Sequence, residues 1–401
     1  MTTSVQVGTA TEVAPAAGRK PSPLDGLRAI LVLLVIAGHL EITGLLAGGQ
    51  GRAIAFFALS GFLVTAVLLK RHDSAGRISL TDFYSSRVAR FVPTLLVVTG
   101  LSILSSAAAT KGWWKADSVA LVDMLAALPR LWSQTINVEL IHGVDPPYEL
   151  VPSWSLGLEW QFYLIWPVVF AVVMATVGRR ALGWLALAAA ITGFAWSAYL
   201  ALALGPELSR VSYGSDTRGA AILLGCAGAV AISNQALRSW LKRRSRPIII
   251  TTTIATALMF SRVPFDSGPY MTRWGQVVVA SAVCLLTAAL WVNPRAGRAL
   301  TLAPLVWIGQ RSLGIFLIHV PIMQLLGGHG DLRRSVAIVA TTLTIAGFTY
   351  RFLDVPLTNS VKQLVASIPR RRTLTLPTAV PAAVPSLVRG ECQVQRAGAQ
   401  A

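Results

Sequence analysis

The chain has 401 residues, 54% of them hydrophobic and only 13% charged, against about 25% charged in an ordinary soluble domain, so water is not its main solvent. The formal net charge of +18 does not make it a nucleic-acid binder: its basic residues fall in short clusters between apolar runs, a pattern that orients membrane proteins. Of its three cysteines, Cys226 and Cys284 lie in apolar segments and Cys392 near the C-terminus, so no disulfide framework is expected.

Residues 1–23 are small, polar and Pro/Ala-rich, with Arg19 and Lys20 before the first apolar run. They read as a disordered cytoplasmic leader rather than a cleaved signal, because the run that follows carries Asp25, Arg28 and His39. Apolar length then predicts about ten spans, near 27–45, 53–69, 92–110, 153–176, 182–204, 217–234, 247–262, 274–292, 302–326 and 335–354. The stretch 118–133 is short and holds Asp123, Pro129 and Arg130; it is expected as a re-entrant or interfacial helix. With the N-terminus inside, this scheme puts most of the 35 Lys and Arg residues on the cytoplasmic side. Residues 357–401 are Pro/Ala/Arg-rich and read as a disordered basic cytoplasmic tail. The expected architecture is an all-α polytopic protein of the cell membrane, with both termini cytoplasmic and one membrane domain over 24–356; nothing in it specifies an oligomer.

Ionisable residues within a span are functional candidates by default, because charge in hydrocarbon is expensive. His39 follows Arg28 by 11 positions, about 16 Å along one helix and within about 20° of the same face. Glu159 lies about two turns into a helix entering from the outer side, and His319 is on an outward-running helix. Asp216 and Arg218 open another span from the outer surface. His39, Glu159, His319 and Asp216 are therefore expected around one polar cavity in the outer half. Near the inner side, Arg87 and Arg90 share a helix face at i and i+3, with Arg28 close in topology. Membrane-edge arginines also snorkel without further role, but this cluster suits a polyanion such as coenzyme A, whose phosphates reward guanidinium donors. Asp25 is placed to pair with Arg28 at i and i+3. No HExxH, Cys/His spacing, phosphate-binding glycine loop or nucleophile elbow is present, so neither a metal nor a permanently bound cofactor is expected.

The ordered motifs resemble acyltransferase family 3 of integral membrane O-acyltransferases over about residues 22–356. LDGLRAILVLLVIAGH from Leu24, FFALSGFLVT from Phe56, FYSSRVARFVP from Phe83 and WSLGLEWQFYLIWP from Trp154 are followed by SDTRGAAILLG, RSLGIFLIHVP and YRFLDVP in the family's order. Trp160 departs from it, standing where many members carry a second Glu. The resemblance implies an acyl-coenzyme A co-substrate on the cytoplasmic side. The implied acceptor is a hydroxyl of a cell-surface glycan or of a secreted metabolite such as a macrolide. Members with an added extracytoplasmic hydrolase-like domain pass the acyl group onward; with only a tail here, the membrane domain is expected to complete the transfer.

In the resulting scheme Arg28, Arg87 and Arg90 hold the donor phosphates, His39 is the general base and Glu159 orients it or stabilises its charged form. Trp154, Ser155, Tyr163 and Ser312 are candidate oxyanion donors by position, and Ser60 or Ser155 is a candidate for a covalent acyl-enzyme. A transporter or flippase of a glycan, lipid or acyl group is the competing class, but such a carrier has no evident need for the Arg-to-His alignment. The predicted orientation is checked on a native residue: an impermeant thiol reagent should leave Cys392 unlabelled in intact cells and label it in inverted vesicles.

Overall fold

The computed structural model describes residues 21–41, 49–110, 120–205, 209–262, 271–328 and 331–367. The expected leader, apart from its last few residues, and the C-terminal part of the expected tail lie outside these segments. The described residues are helical throughout, with no strand. Helix α1, Pro23–His39, starts where Ser22 accepts the Leu24 N–H at 3.3 Å, Pro23 occupies the first turn and Asp25 faces the positive helix end. Then follow α2 (Gly49–Ala75), α3 (Leu80–Thr110), α4 (Leu121–Ser133) and α5 (Ile136–Ile141), a 3-10 turn at Tyr148–Leu150, α6 (Ser153–Thr176) and α7 (Gly178–Ala203). After these come α8 (Ser209–Tyr213), α9 (Ser215–Ala231), α10 (Gln235–Arg262), α11 (Gln276–Val292), α12 (Ala303–Gln310), α13 (Ser312–Leu325), α14 (Leu332–Thr349) and α15 (Val355–Ser367).

Six of these helices are long and apolar enough to cross a bilayer, or up to eight if each of two bent pairs is one span. The chain is thus a multi-pass membrane protein, and among the described residues six to eight stretches meet the length and apolarity of the ten expected spans. The last residues of the expected span at 27–45 lie outside the described segments. Helix α1 has 17 residues, about 26 Å at 1.5 Å per residue, less than the roughly 30 Å of a hydrocarbon core. The expected single span at 302–326 is broken at Arg311 into α12 and α13, bent by 73°, whereas α9 and α10, expected as two spans, meet at 102° across the turn between them. Asn234 makes the second corner by accepting the Ala236 and Leu237 N–H groups at 2.9 and 3.1 Å.

Within the stretch expected as a re-entrant or interfacial helix, α4 has 13 residues, about 20 Å, too short to span. It buries Met124, Ala127 and Leu131 and exposes Val122, Leu125 and Trp132. Residues 357–367, expected as the start of an irregular tail, instead continue as α15, which packs on α3.

Packing follows the small-residue logic of membrane bundles, where apolar lipid gives helices little hydrophobic reason to associate and close approach supplies the attraction. Helices α2 and α9 lie against each other: a Cβ on Gly61 would run into the Ile222 carbonyl, and one on Gly225 into the Ala58 carbonyl. Polar side chains bridge other helices. Trp166 Nε1 donates to Thr65 Oγ1 at 2.9 Å. Asn137, Gln161 and Ser215 form a closed ring that docks α5 onto α6 and α9.

Replacing Gly225 with Leu should therefore abolish or sharply reduce folded protein, since overpacking against backbone costs at least about 1–3 kcal/mol. Gly219→Ala, with nothing within 4 Å of the new Cβ, should leave the thermal midpoint in detergent unchanged. Both are read by fluorescence-detected size exclusion after heating.

Candidate active site

Five helices converge on one internal cavity. Ser155, Glu159 and Tyr163 recur every fourth residue on α6, which places them on one stripe. Arg87 and Arg90 share a face of α3, Ser60 comes from α2, Ser312 and Phe316 from α13, and Arg28 from α1. Phe56, Phe91, Leu156 and Leu313 complete the wall.

Its polar lining is a connected network. The Glu159 carboxylate accepts from Ser60 Oγ on one oxygen at 2.8 Å and from the Tyr163 hydroxyl on the other at 2.9 Å. The Arg87 guanidinium lies over the Tyr163 ring at 4.5 Å and the Phe83 ring at 5.2 Å, so two aromatic faces share the burden of holding a buried cation. Arg28, Arg87 and Arg90 outnumber Glu159 in the wall, which makes the cavity cationic: it suits a phosphorylated, elongated ligand and disfavours a cation.

A second polar centre lies behind Phe316. His39, at the C-terminal end of α1, and His319, on α13, approach at 3.1 Å between Nδ1 and Nε2, with ring centroids 5.0 Å apart. His319 is 1% exposed, and its Nδ1 is 2.6 Å from the Phe316 carbonyl oxygen. Phe316 therefore lines the cavity with its side chain and engages the histidine pair with its backbone. Beside this pair, buried Arg52 donates from Nη1 to the Leu34 carbonyl at 2.9 Å. Its guanidinium occupies the space that a side chain at position 38 would need, so Gly38 lets Arg52 lie against α1.

Of the residues singled out in the sequence, Arg28, Arg87, Arg90, Ser155, Glu159, Tyr163 and Ser312 meet in the cavity, and His39 meets His319 next to it. The expected outer cavity shared by His39, Glu159, His319 and Asp216 is not what forms. Glu159 sits with the arginines and bonds Ser60 and Tyr163, while the imidazole that His39 meets is that of His319. Asp216 binds Arg210 through both oxygens, at 2.6 and 2.8 Å, and the Trp196 indole N–H at 2.7 Å.

Arg218, 0% exposed, donates to the Ser212 carbonyl at 3.1 Å and to Gln276 Oε1 at 3.5 Å, and Gln276 in turn donates to Ser197 at 2.7 Å. Asp216 and Arg218 thus join α7, α8, α9 and α11. Trp154 packs edge-on against Phe57 and Tyr213, and Asp25 is buried where its carbonyl faces Gly309 of α12. Arg52 and the buried Glu149, bonded by Ser105 at 3.1 Å, were not singled out. Arg52 was legible as a lone cation at the start of an apolar run. Among the described residues no group of three or more His, Cys, Asp or Glu side chains comes together to hold a metal ion.

Apolar helices surround a cationic cavity, and a histidine pair adjoins it through Phe316, so this is a membrane protein with a polar interior. The chain belongs to acyltransferase family 3, whose acyltransferase-domain model matches residues 23–350. It is 30% identical over 345 residues to peptidoglycan O-acetyltransferase OatA of Listeria monocytogenes, covering 83% of this chain and 55% of that protein. It is 27% identical over 367 residues to O-acetyltransferase OatA of Staphylococcus aureus, covering 87% and 59%. The chain thus spans little more than half the length of these relatives. No solved structure matches it.

Because a hydrogen bond to a charged group contributes about 1.5–3 kcal/mol, Tyr163→Phe and Ser60→Ala should each lower the thermal midpoint in detergent. The double variant should fall by less than the sum, since both hydroxyls serve one carboxylate.

Proposed function

We propose that this chain is a membrane O-acyltransferase that moves an acetyl or other short acyl group from acyl-coenzyme A to a sugar hydroxyl of a cell-envelope glycan. The observation that carries this reading is the adjacency of a cationic cavity and a histidine pair in a chain of this family: Phe316 lines the cavity and its carbonyl bonds His319. The names of the relatives favour the glycan over a secreted metabolite as acceptor.

In this reading the donor's phosphates rest on Arg87 and Arg90, with Arg28 helping, at the cytoplasmic side. The pantetheine arm then runs toward His39, about 16 Å further along α1. His39 takes the acceptor hydroxyl's proton as that oxygen attacks the thioester carbonyl. The C–O bond forms, the C–S bond breaks, and the departing thiolate receives the proton from His39, so the reaction leaves ester, free thiol and neutral imidazole. Glu159 acts here on the donor side, fixing Ser60 and Tyr163 beside the arginines, rather than on His39 as the sequence suggested. Enclosure by Phe56, Phe91 and Phe316 limits water's access to the thioester.

Purified protein in vesicles, given acyl-labelled donor and a glycan acceptor, should release free thiol in step with acceptor acylation. His39→Ala should lower kcat by about 10²–10⁴-fold, whereas Arg87→Ala with Arg90→Ala should mainly raise the donor KM, by roughly 10–100-fold. Movement of donor or acceptor across the vesicle without loss of thioester would identify a carrier instead.

A further inference from the structure

We propose that His319 is a positioning residue that fixes the tautomer of His39, making Nε2 of His39 the nitrogen that removes the acceptor's proton. The inference deepens the reading above and rests on His39 being its base.

The assignment follows from who can donate to whom. A carbonyl oxygen has only lone pairs, so the 2.6 Å contact between the Phe316 carbonyl and His319 Nδ1 requires the proton on that nitrogen. A neutral imidazole carries a single N–H, so His319 Nε2 presents a lone pair to His39. The 3.1 Å contact then needs a proton on His39 Nδ1, and the lone pair of neutral His39 is left on Nε2. The neutral form of His319 is the one its surroundings accept. The ring is 1% exposed, its helix neighbours Ile315, Ile318, Val320 and Ile322 are fully buried apolar residues, and its hydrogen-bond partners are a carbonyl and a second imidazole. A permanent cation there would be costly.

The same geometry serves the reaction. When His39 Nε2 takes the hydroxyl proton, the positive charge spreads onto Nδ1–H, and its hydrogen bond to the neutral His319 lone pair becomes charge-assisted and stronger. His319 thus does with a neutral acceptor what a carboxylate does for the base of many hydrolases, without placing a fixed anion among apolar side chains. It holds both the ring's orientation and its tautomer, while the Phe316 carbonyl holds His319 in turn. No proton leaves the pair: Nδ1 of each ring keeps its hydrogen, and the only proton moved passes from acceptor oxygen through His39 Nε2 to the leaving thiolate.

The test compares side chains that do and do not reach His39 with an acceptor atom. His319→Gln can place its amide oxygen near the former Nε2; His319→Asn, one methylene shorter, reaches back toward Phe316 only; His319→Leu offers no acceptor. Acyl transfer from acetyl-coenzyme A is measured on the full chain in vesicles, with thermal midpoints taken alongside. We expect His319→Leu and His319→Asn to lose about 100-fold in kcat with the donor KM within about threefold, and His319→Gln to recover to within about tenfold of the unmodified protein.

Equal rates for the Gln and Asn variants would overturn the assignment, as would a Leu variant with unmodified kcat. If the Leu variant does not fold, the Gln and Asn pair alone decides. His39→Ala run in parallel separates the two levels: full activity there removes His39 as base and this inference with it. An inactive His39→Ala beside fully active His319 variants removes only the positioning role.

Discussion

A guanidinium or carboxylate inside a bilayer-spanning bundle persists only if the surrounding side chains replace the water it has lost, and the interior of this protein is arranged around that requirement. Arg87 is held between the faces of Phe83 and Tyr163, Tyr163 donates to Glu159, and Ser60 donates to the same carboxylate. Each group compensates the next, so the cavity keeps its charge without collapsing. The apolar remainder of the wall lowers the local dielectric, which strengthens electrostatic interactions inside the cavity relative to the same arginines at an open surface.

Holding that network in place requires helices to approach closely. Gly61 and Gly225 let α2 and α9 touch backbone to backbone; α2 in turn carries Ser60 to α6. The ring of Asn137, Gln161 and Ser215 fastens the short α5 to the same helix. The buried Arg218, reaching Ser212 and Gln276, closes the α7 to α11 side. These polar bonds lie away from the cavity and help to fix the helix that presents Glu159 and Tyr163 to it.

Much of the cavity was readable before folding because its residues obey local rules. Arg87 with Arg90 and Ser155 with Glu159 and Tyr163 are helix-periodic sets, and periodicity guarantees a common face whatever the helix packs against. The alignment of Arg28 and His39 is of the same kind. Partnerships between distant segments are not local. Glu159 and His39 seemed paired by depth alone, but depth does not set the rotation of one helix about another, and His319 rather than Glu159 faces His39. Asp216 and Arg218, adjacent in the same motif, go to structural partners for the same reason.

The break within the expected span at 302–326 was not legible because apolar length is an average over a window, blind to breaks. Arg311 interrupts α12 and α13, yet that stretch remains apolar enough to read as one span; the turn at Asn234 between α9 and α10 falls between two stretches that the sequence already reads as separate spans. By itself the sequence determined that this is a helical membrane protein, which residues share each helix face, and which family it belongs to, since these depend on composition, periodicity and motif order. Only the tertiary structure decided which faces meet, because helix rotation and close approach are set by packing between segments: it put Glu159 with the arginines, joined His39 to His319, and set Phe316 beside both.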